Sequence, residues 1–252
     1  MLNRIMNKIE NWIYFRKLSL RLRYRGGVFR AASDGRDMDE YYYWIRDWSR
    51  LKVNNIVEIG ANYGQDSERL RTLFGLKKED IYIFEAHPQI AKKARKIFGF
   101  HTYQNAVYNE EKRITLHGVD EFCENSGIST VMHSDHLHHI LTKEFQVKAI
   151  RMDTWMQNNH LDSIDFCKID AEGANYEVLQ GFGEKLHKIN AIQIEAEHEA
   201  DYDGEHLWDE ISSLLEESGF VLVLFRRHTI QSDSLWIRKE FLYKPGEWKK
   251  YR

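Results

Sequence analysis

The sequence predicts an α/β domain: a mostly parallel sheet with helices on both faces and an antiparallel hairpin at its C-terminal edge. Three observations predict it. Short apolar runs without polar alternation, the signature of strands buried on both faces, recur along the chain. Segments of helical spacing separate these runs, which implies crossover connections between parallel strands. The last two strand-like runs, Phe220 to Phe225 and Ser234 to Leu242, follow each other closely enough to pair as a hairpin.

In order, Asn55 to Ile59 reads as a strand, Asp66 to Phe74 as a helix, Ile81 to Phe84 as a strand and Gln89 to Ile97 as a helix rich in Ala and Lys. After a strand-like run at Tyr103 to Val107 the rhythm changes. Arg113 to Val119, Ser129 to Met132 and Gln146 to Met152 are short β-prone pieces with no long helix between them. A domain spanning residues 41–252 is therefore expected to carry a β-rich insertion at about 110–152, where ligand selectivity would lie. Ile164 to Ile169 resumes the earlier pattern. A helix is expected from Asn175 to Leu186, a strand from Ala191 to Glu195 and a helix from Trp208 to Ser218, closed by Gly219, which suits the left-handed position past a helix end.

A chain of 252 residues with 42% hydrophobic content can bury a sizeable core. Its 36 Lys and Arg nearly balance 39 Asp and Glu, which excludes a general polyanion binder and disfavours nucleic acid as a partner. Cys123 and Cys167 form no CxxC pair, so neither a disulfide framework nor a cysteine zinc site is expected. This cysteine usage fits a reducing compartment, and a cytoplasmic location is expected, since no apolar run is long enough to span a bilayer and Arg4, Lys8, Glu10, Arg16 and Lys17 interrupt the N-terminus. Residues 1–40 stand apart as a basic helical segment. The first thirty positions hold eight Lys or Arg against one Glu, and Leu2, Ile5, Met6, Ile9, Trp12 and Ile13 share one helical face. Two readings stay open: a helix covering the core or a partner subunit, as in a homodimer, or an interfacial helix holding the chain against anionic lipid at the inner membrane face.

The strongest local signal is Val57-Glu58-Ile59-Gly60-Ala61-Asn62-Tyr63-Gly64, which compresses a strand, a glycine turn and a helix start. Gly60 lets the chain turn sharply, and a side chain there is expected to intrude on a ligand. The following helix offers free backbone N–H groups to an anionic ligand group. A dinucleotide fingerprint needs glycine where this chain has Asn62 and Gln65, so the loop fits S-adenosylmethionine better than NAD. Glu85 closes the second strand, where a carboxylate can accept hydrogen bonds from both ribose hydroxyls. Gln104, Asn105 and Ala106, in the next strand-like run, are candidates to border an adenine.

Ile164 to Gly181, containing Lys168-Ile169-Asp170-Ala171-Glu172-Gly173 and ending in Leu179-Gln180-Gly181, resembles the hallmark of the FkbM-type methyltransferase family. Glu58 to Gly64, Phe84-Glu85-Ala86-His87-Pro88 and Met152-Asp153-Thr154-Trp155 resemble the same family in the same order. Asn125 to Thr130 resembles its small-residue loop. The chain departs from the family's usual pattern in having Ala86 for Pro and Glu58 for Asp, and the likeness covers roughly residues 55–200. It implies a class I, Rossmann-like, S-adenosylmethionine-dependent fold. It also implies methyl transfer to a hydroxyl of a sugar, glycan or natural-product acceptor, with Glu58, Gly60, Ala61, Asn62, Gly64, Glu85, Asn105, Ala106 and Asp170 around the cofactor.

In-line transfer needs the acceptor oxygen positioned and deprotonated. Asp170 and Glu172 follow a strand at its carboxyl end and are the expected acceptor-side acids. Lys168 shares a strand face with Asp170, either as catalytic cation or as a structural ion pair. His198 is a candidate base, or, with Asp170 and Glu197, a candidate ligand of a divalent cation. The run His133, His136, His138 and His139 reads more simply as a solvated loop. Tyr41-Tyr42-Tyr43-Trp44 with Trp48 reads as helix packing and as a minor sugar-stacking candidate. An NAD-dependent oxidoreductase and a catalytically inactive scaffold are the competing readings.

Overall fold

A computed structural model of the chain describes residues 39–119, 129–134, 141–227 and 229–243. The basic N-terminal segment, Asn125 to Ile128 and three of the clustered histidines (His136, His138 and His139) lie outside the described residues.

A seven-stranded sheet forms the frame. Its strands are β1 (Ile56–Ile59), β2 (Ile81–Phe84), β3 (His101–Tyr103), β7 (Ile164–Ile169), β8 (Ile189–Glu197), β9 (Phe220–Arg227) and β10 (Gln231–Arg238), in the order β3-β2-β1-β7-β8-β10-β9. Strands β1 to β3, β7 and β8 run parallel, and β10 lies antiparallel between β8 and β9. The expected class I fold is thus observed, the hairpin inserting its second strand beside β8. All four residues of β1 and all six of β7 are buried, which is why these strands read as unbroken apolar runs.

Three helices cover one face: α1 (Asp39–Trp48), α2 (Gln65–Phe74) and α3 (Pro88–Phe98). Tyr41, Tyr42 and Ile45 pack there with Leu70, Ala94 and Phe98 against Phe166 and Ile83. Tyr41 and Tyr42 are only 2% and 1% exposed, so these two pack in the core and cannot stack on a sugar, whereas Trp48 is 47% exposed. The other face is covered by α4 (Met152–Asn158), α5 (Asn175–Gly181) and α6 (Trp208–Glu217), with Trp155, Val178, Phe182 and Ile211 packed on Ile169 and Ile192. The helix expected to reach Leu186 ends at Gly181, where a Cβ would lie 2.4 Å from the Tyr108 carbonyl oxygen, and a short 3₁₀ helix, Gly183–Lys188, follows.

Between β3 and α4 a second, three-stranded sheet orders β4 (Ala106–Val107), β6 (Lys143–Ile150) and β5 (Lys112–Gly118) as β4-β6-β5. Ser129 to Met132 adds no strand to it, only an isolated bridge from Thr130 to His117. Met152 belongs to α4 instead of the strand expected to contain it. No described helix is long and apolar enough to cross a membrane.

Candidate functional site

The chain leaves β1, builds β2 and β3 on one side, and returns to place β7 on the other. β1 is therefore the switch point of the sheet, where a crevice opens outside the carboxyl ends of the strands. A cavity of about 270 Å³ lies there, lined by the β1 loop, the end of β2, the start of β4 and the turn after β7.

The β1 loop turns at Gly60, whose φ is +76°. The reason for glycine differs from the expected one. A Cβ on Gly60 would lie 1.7 Å from the carbonyl oxygen of Asp170, so the residue makes room for the neighbouring turn, not for a ligand. Asn62 adopts the left-handed region at φ 49°, which Asn tolerates better than most residues. Its N–H donates to Glu85 Oε2 at 2.8 Å, and the His87 N–H donates to Glu85 Oε1 at 2.7 Å. These bonds aim the Glu85 carboxylate while leaving one lone pair on each oxygen. Burial pushes Glu85 up to about 7, against the pull of those two backbone donors. Ala61, Asn105 and Ala106 also line the cavity, and Asn105 donates to the Lys148 carbonyl. Gly64 does not: it begins α2 at φ +82° and faces Ile83, Phe98 and Phe100 in the core.

Parallel pairing sets Glu58 on β1 directly beside Lys168 on β7. The Lys168 Nζ lies 3.1 Å from Asp170, 3.2 Å from Asp66 in the first turn of α2, and 3.8 Å from Glu58. Glu58 also accepts from the Ser67 N–H at 3.0 Å and from the Ser67 hydroxyl. The three carboxylates hold the Lys168 ammonium well above its ordinary pKa, overcoming its burial. Burial pushes Glu58 up to about 8, while Lys168 keeps Asp66 below its ordinary value. Lys168 is thus a buried ion-network centre beside the cavity. Asp66 and Gln65 were missed in the sequence, although their place in the first turn after a glycine loop was the available signal.

The turn after β7 carries Asp170 and Glu172 to the cavity wall. Asn175 Oδ1 accepts the Ala171 N–H at 2.7 Å, and Asn175 Nδ2 donates to the Glu195 carbonyl, tying this turn to β8. Glu172 sits at φ 44°, a conformation costly for a non-glycine residue and concentrated at functional sites. Burial, then Asp170, push its carboxyl up to about 7.

His198 is not among the cavity-lining residues. Its N–H donates to the Ile230 carbonyl, and its ring packs on Trp208 and Phe225 beyond the end of β8. The structure therefore does not bring His198 to Asp170, either as base or as co-ligand, because alternation along β8 turns it away from Glu195 and Glu197. Among the described residues no group of three or more His, Cys, Asp or Glu side chains is placed to hold a metal ion. His133 packs edge-on to His117, apart from any such group.

An open, mostly parallel sheet with a glycine loop, an acid closing the second strand and an acidic cavity at its switch point defines a class I methyltransferase-type protein. The chain belongs to the FkbM methyltransferase family: the family's Methyltransferase FkbM domain matches residues 58–222. It is similar, at 28% identity over 163 residues, to the 2-O-methyltransferase NoeI of Sinorhizobium fredii; the match takes in 60% of this chain and 66% of that protein, just under two thirds of its length. Among solved structures it is similar to a methyltransferase FkbM from Methylobacillus flagellatus, at 12% identity and a TM-score of 0.48, covering 91% of this chain and 59% of that one. A SAM-dependent methyltransferase from Aquifex aeolicus matches at 10% identity and a TM-score of 0.43, covering 80% and 89%. These two structural likenesses are too weak to add to the family match.

Proposed function

We propose that the chain is an S-adenosylmethionine-dependent O-methyltransferase acting on a hydroxyl of a sugar, glycan or related natural-product acceptor. One observation carries the choice of cofactor. The cavity is lined by five carboxyl groups, Glu58, Asp66, Glu85, Asp170 and Glu172, and by one cation, Lys168, already engaged by three of them. Such a wall favours a ligand bearing a sulfonium and an ammonium and opposes the pyrophosphate of NAD.

The polar atoms left over fit the same ligand. Asn62 Oδ1 and Gln65 Oε1 are buried acceptors without a hydrogen-bond partner among the described residues. They suit an ammonium donor, while the free lone pairs of Glu85 suit two ribose hydroxyls. When bound, S-adenosylmethionine supplies a methyl group on a positively charged sulfur. The chain's contribution is then to orient it through the β1 loop and Glu85, and to present carboxylates at the acceptor side. The 2-O-methyl transfer named for the similar protein supports oxygen as the acceptor atom.

Calorimetry on the folded chain tests the reading. S-adenosylmethionine and S-adenosylhomocysteine are expected to bind and NAD to give no heat; no heat with either sulfur compound would overturn it. A panel of free sugars and glycans with methyl-labelled cofactor then identifies the acceptor class.

A further inference from the structure

The loop after β8 is fastened over the β7 turn. Glu205 Oε2 accepts the N–H groups of Asp201 and Tyr202, and the Asp203 N–H donates to the His133 carbonyl. The Tyr202 ring lies on Gly173, where a Cβ would come within 2.4 Å of it. Its hydroxyl donates to Glu172 Oε2 at 3.0 Å. On the other side, the Thr130 hydroxyl donates to the Glu172 carbonyl at 2.6 Å. Glu172, which lines the cavity, is thus gripped at backbone and side chain in a left-handed conformation, with one carboxylate oxygen taken by Tyr202.

We infer that Tyr202 is a positioning residue that holds Glu172 as the general base toward the acceptor hydroxyl. The inference rests on the proposed methyl transfer. Glu172 takes the hydroxyl proton as the acceptor oxygen bonds to the methyl carbon. The carbon–sulfur bond breaks, its electron pair stays on sulfur, and a neutral thioether departs. The proton then passes from Glu172 to solvent.

Glu172 faces Asp170 and Lys168 from its own turn and strand, Tyr202 and Glu205 from the fastened loop, and Glu195 and Glu197 from β8. Burial with Asp170 places it near 7, where a base works efficiently at neutral pH, and the Tyr202 hydrogen bond opposes that rise.

The test compares the parent chain with Tyr202→Phe and Glu172→Gln. Phe keeps the ring over Gly173 and removes only the hydroxyl. Carboxyl-carbon NMR, with the Glu172 signal assigned by its loss in E172Q, reads the titration directly. In Tyr202→Phe that titration is expected to move to higher pH. The acid limb of kcat should move with it, giving about tenfold loss at pH 7 and recovery above pH 8.5. Glu172→Gln is expected to lose about 10²–10⁴-fold at every pH while still binding S-adenosylmethionine. Loss in Tyr202→Phe by one factor at all pH with an unmoved Glu172 signal, or an E172Q rate within threefold of the parent, overturns the inference. Failure of the parent chain to bind the cofactor overturns the methyl-transfer reading itself.

Discussion

The Cα of Gly60 is pressed against the carbonyl oxygen of Asp170, so closely that a Cβ would stand 1.7 Å from it. The two turns at the carboxyl ends of β1 and β7 are therefore one packed unit, joined also by the Asp170 N–H to the Ile59 carbonyl at 2.9 Å. Gly60→Ala cannot be absorbed by a side-chain shift, because the obstacle is backbone and φ is already positive. The variant is expected to lose more than about 2 kcal/mol of stability and its cofactor binding together, read by urea unfolding and calorimetry. Parent-like values in both would contradict the packing described.

Lys168 holds three acids. Lys168→Met should leave the buried Glu58 without a cation and remove the ammonium from the part-buried Asp66 and Asp170, Asp66 keeping Arg69, and breaking such a buried pair typically costs about 3–5 kcal/mol. The denaturant midpoint should fall accordingly at pH 7. A fall of less than about 1 kcal/mol would show that Lys168 is dispensable to the fold.

Glu85→Gln keeps the shape but sets an amide donor against a backbone N–H donor, from either Asn62 or His87. Affinity for S-adenosylmethionine should fall at least about tenfold through the lost charged acceptor. Unchanged affinity by calorimetry would remove Glu85 from the ribose site.

Glu85 and Glu172 near 7, and Glu58 near 8, make cofactor binding depend on pH. A cationic ligand prefers the ionised carboxyls, so binding should release protons and tighten as pH rises from 6 to 8, by up to about tenfold per unit for each proton released. The ligand-free chain should behave oppositely. Carboxyl groups whose pKa is raised on folding stabilise the fold fully below their ordinary value near 4.5, and that contribution is lost as pH rises through 7 to 8. Thermal unfolding without ligand should therefore occur at lower temperature at pH 8 than at pH 6. A flat or inverted profile would refute the burial of these acids.

Much of this frame was legible because it is local. The β1 loop, Glu85 and the Lys168 to Gly173 run announce themselves through glycine placement and the apolar strands before them. The antiparallel hairpin followed from two strand-like runs separated by few residues. Other features were hidden. Tyr202 lies in an acid-rich loop with no periodicity to mark its inward turn. His198 was weighed as a base or as a co-ligand of Asp170 and Glu197, yet just past the end of β8 it packs against Trp208 and Phe225. Gly64 shares the motif with Gly60 but serves the core between α2 and α3.

By itself the sequence determined the strands of the main sheet, their order and the side chains that end β1, β2 and β7, since backbone propensity and hydrophobic period act over a few neighbouring residues; it did not show the helix α4 or the end of α5 at Gly181. Only the tertiary structure decided that Lys168 serves Asp66 and Glu58 as well as Asp170, that Gly60 yields space to Asp170, and that Tyr202 grips Glu172. Those relationships come from strand register and from loops meeting across long chain separations, where packing chooses the partner and no short-range pattern records the choice.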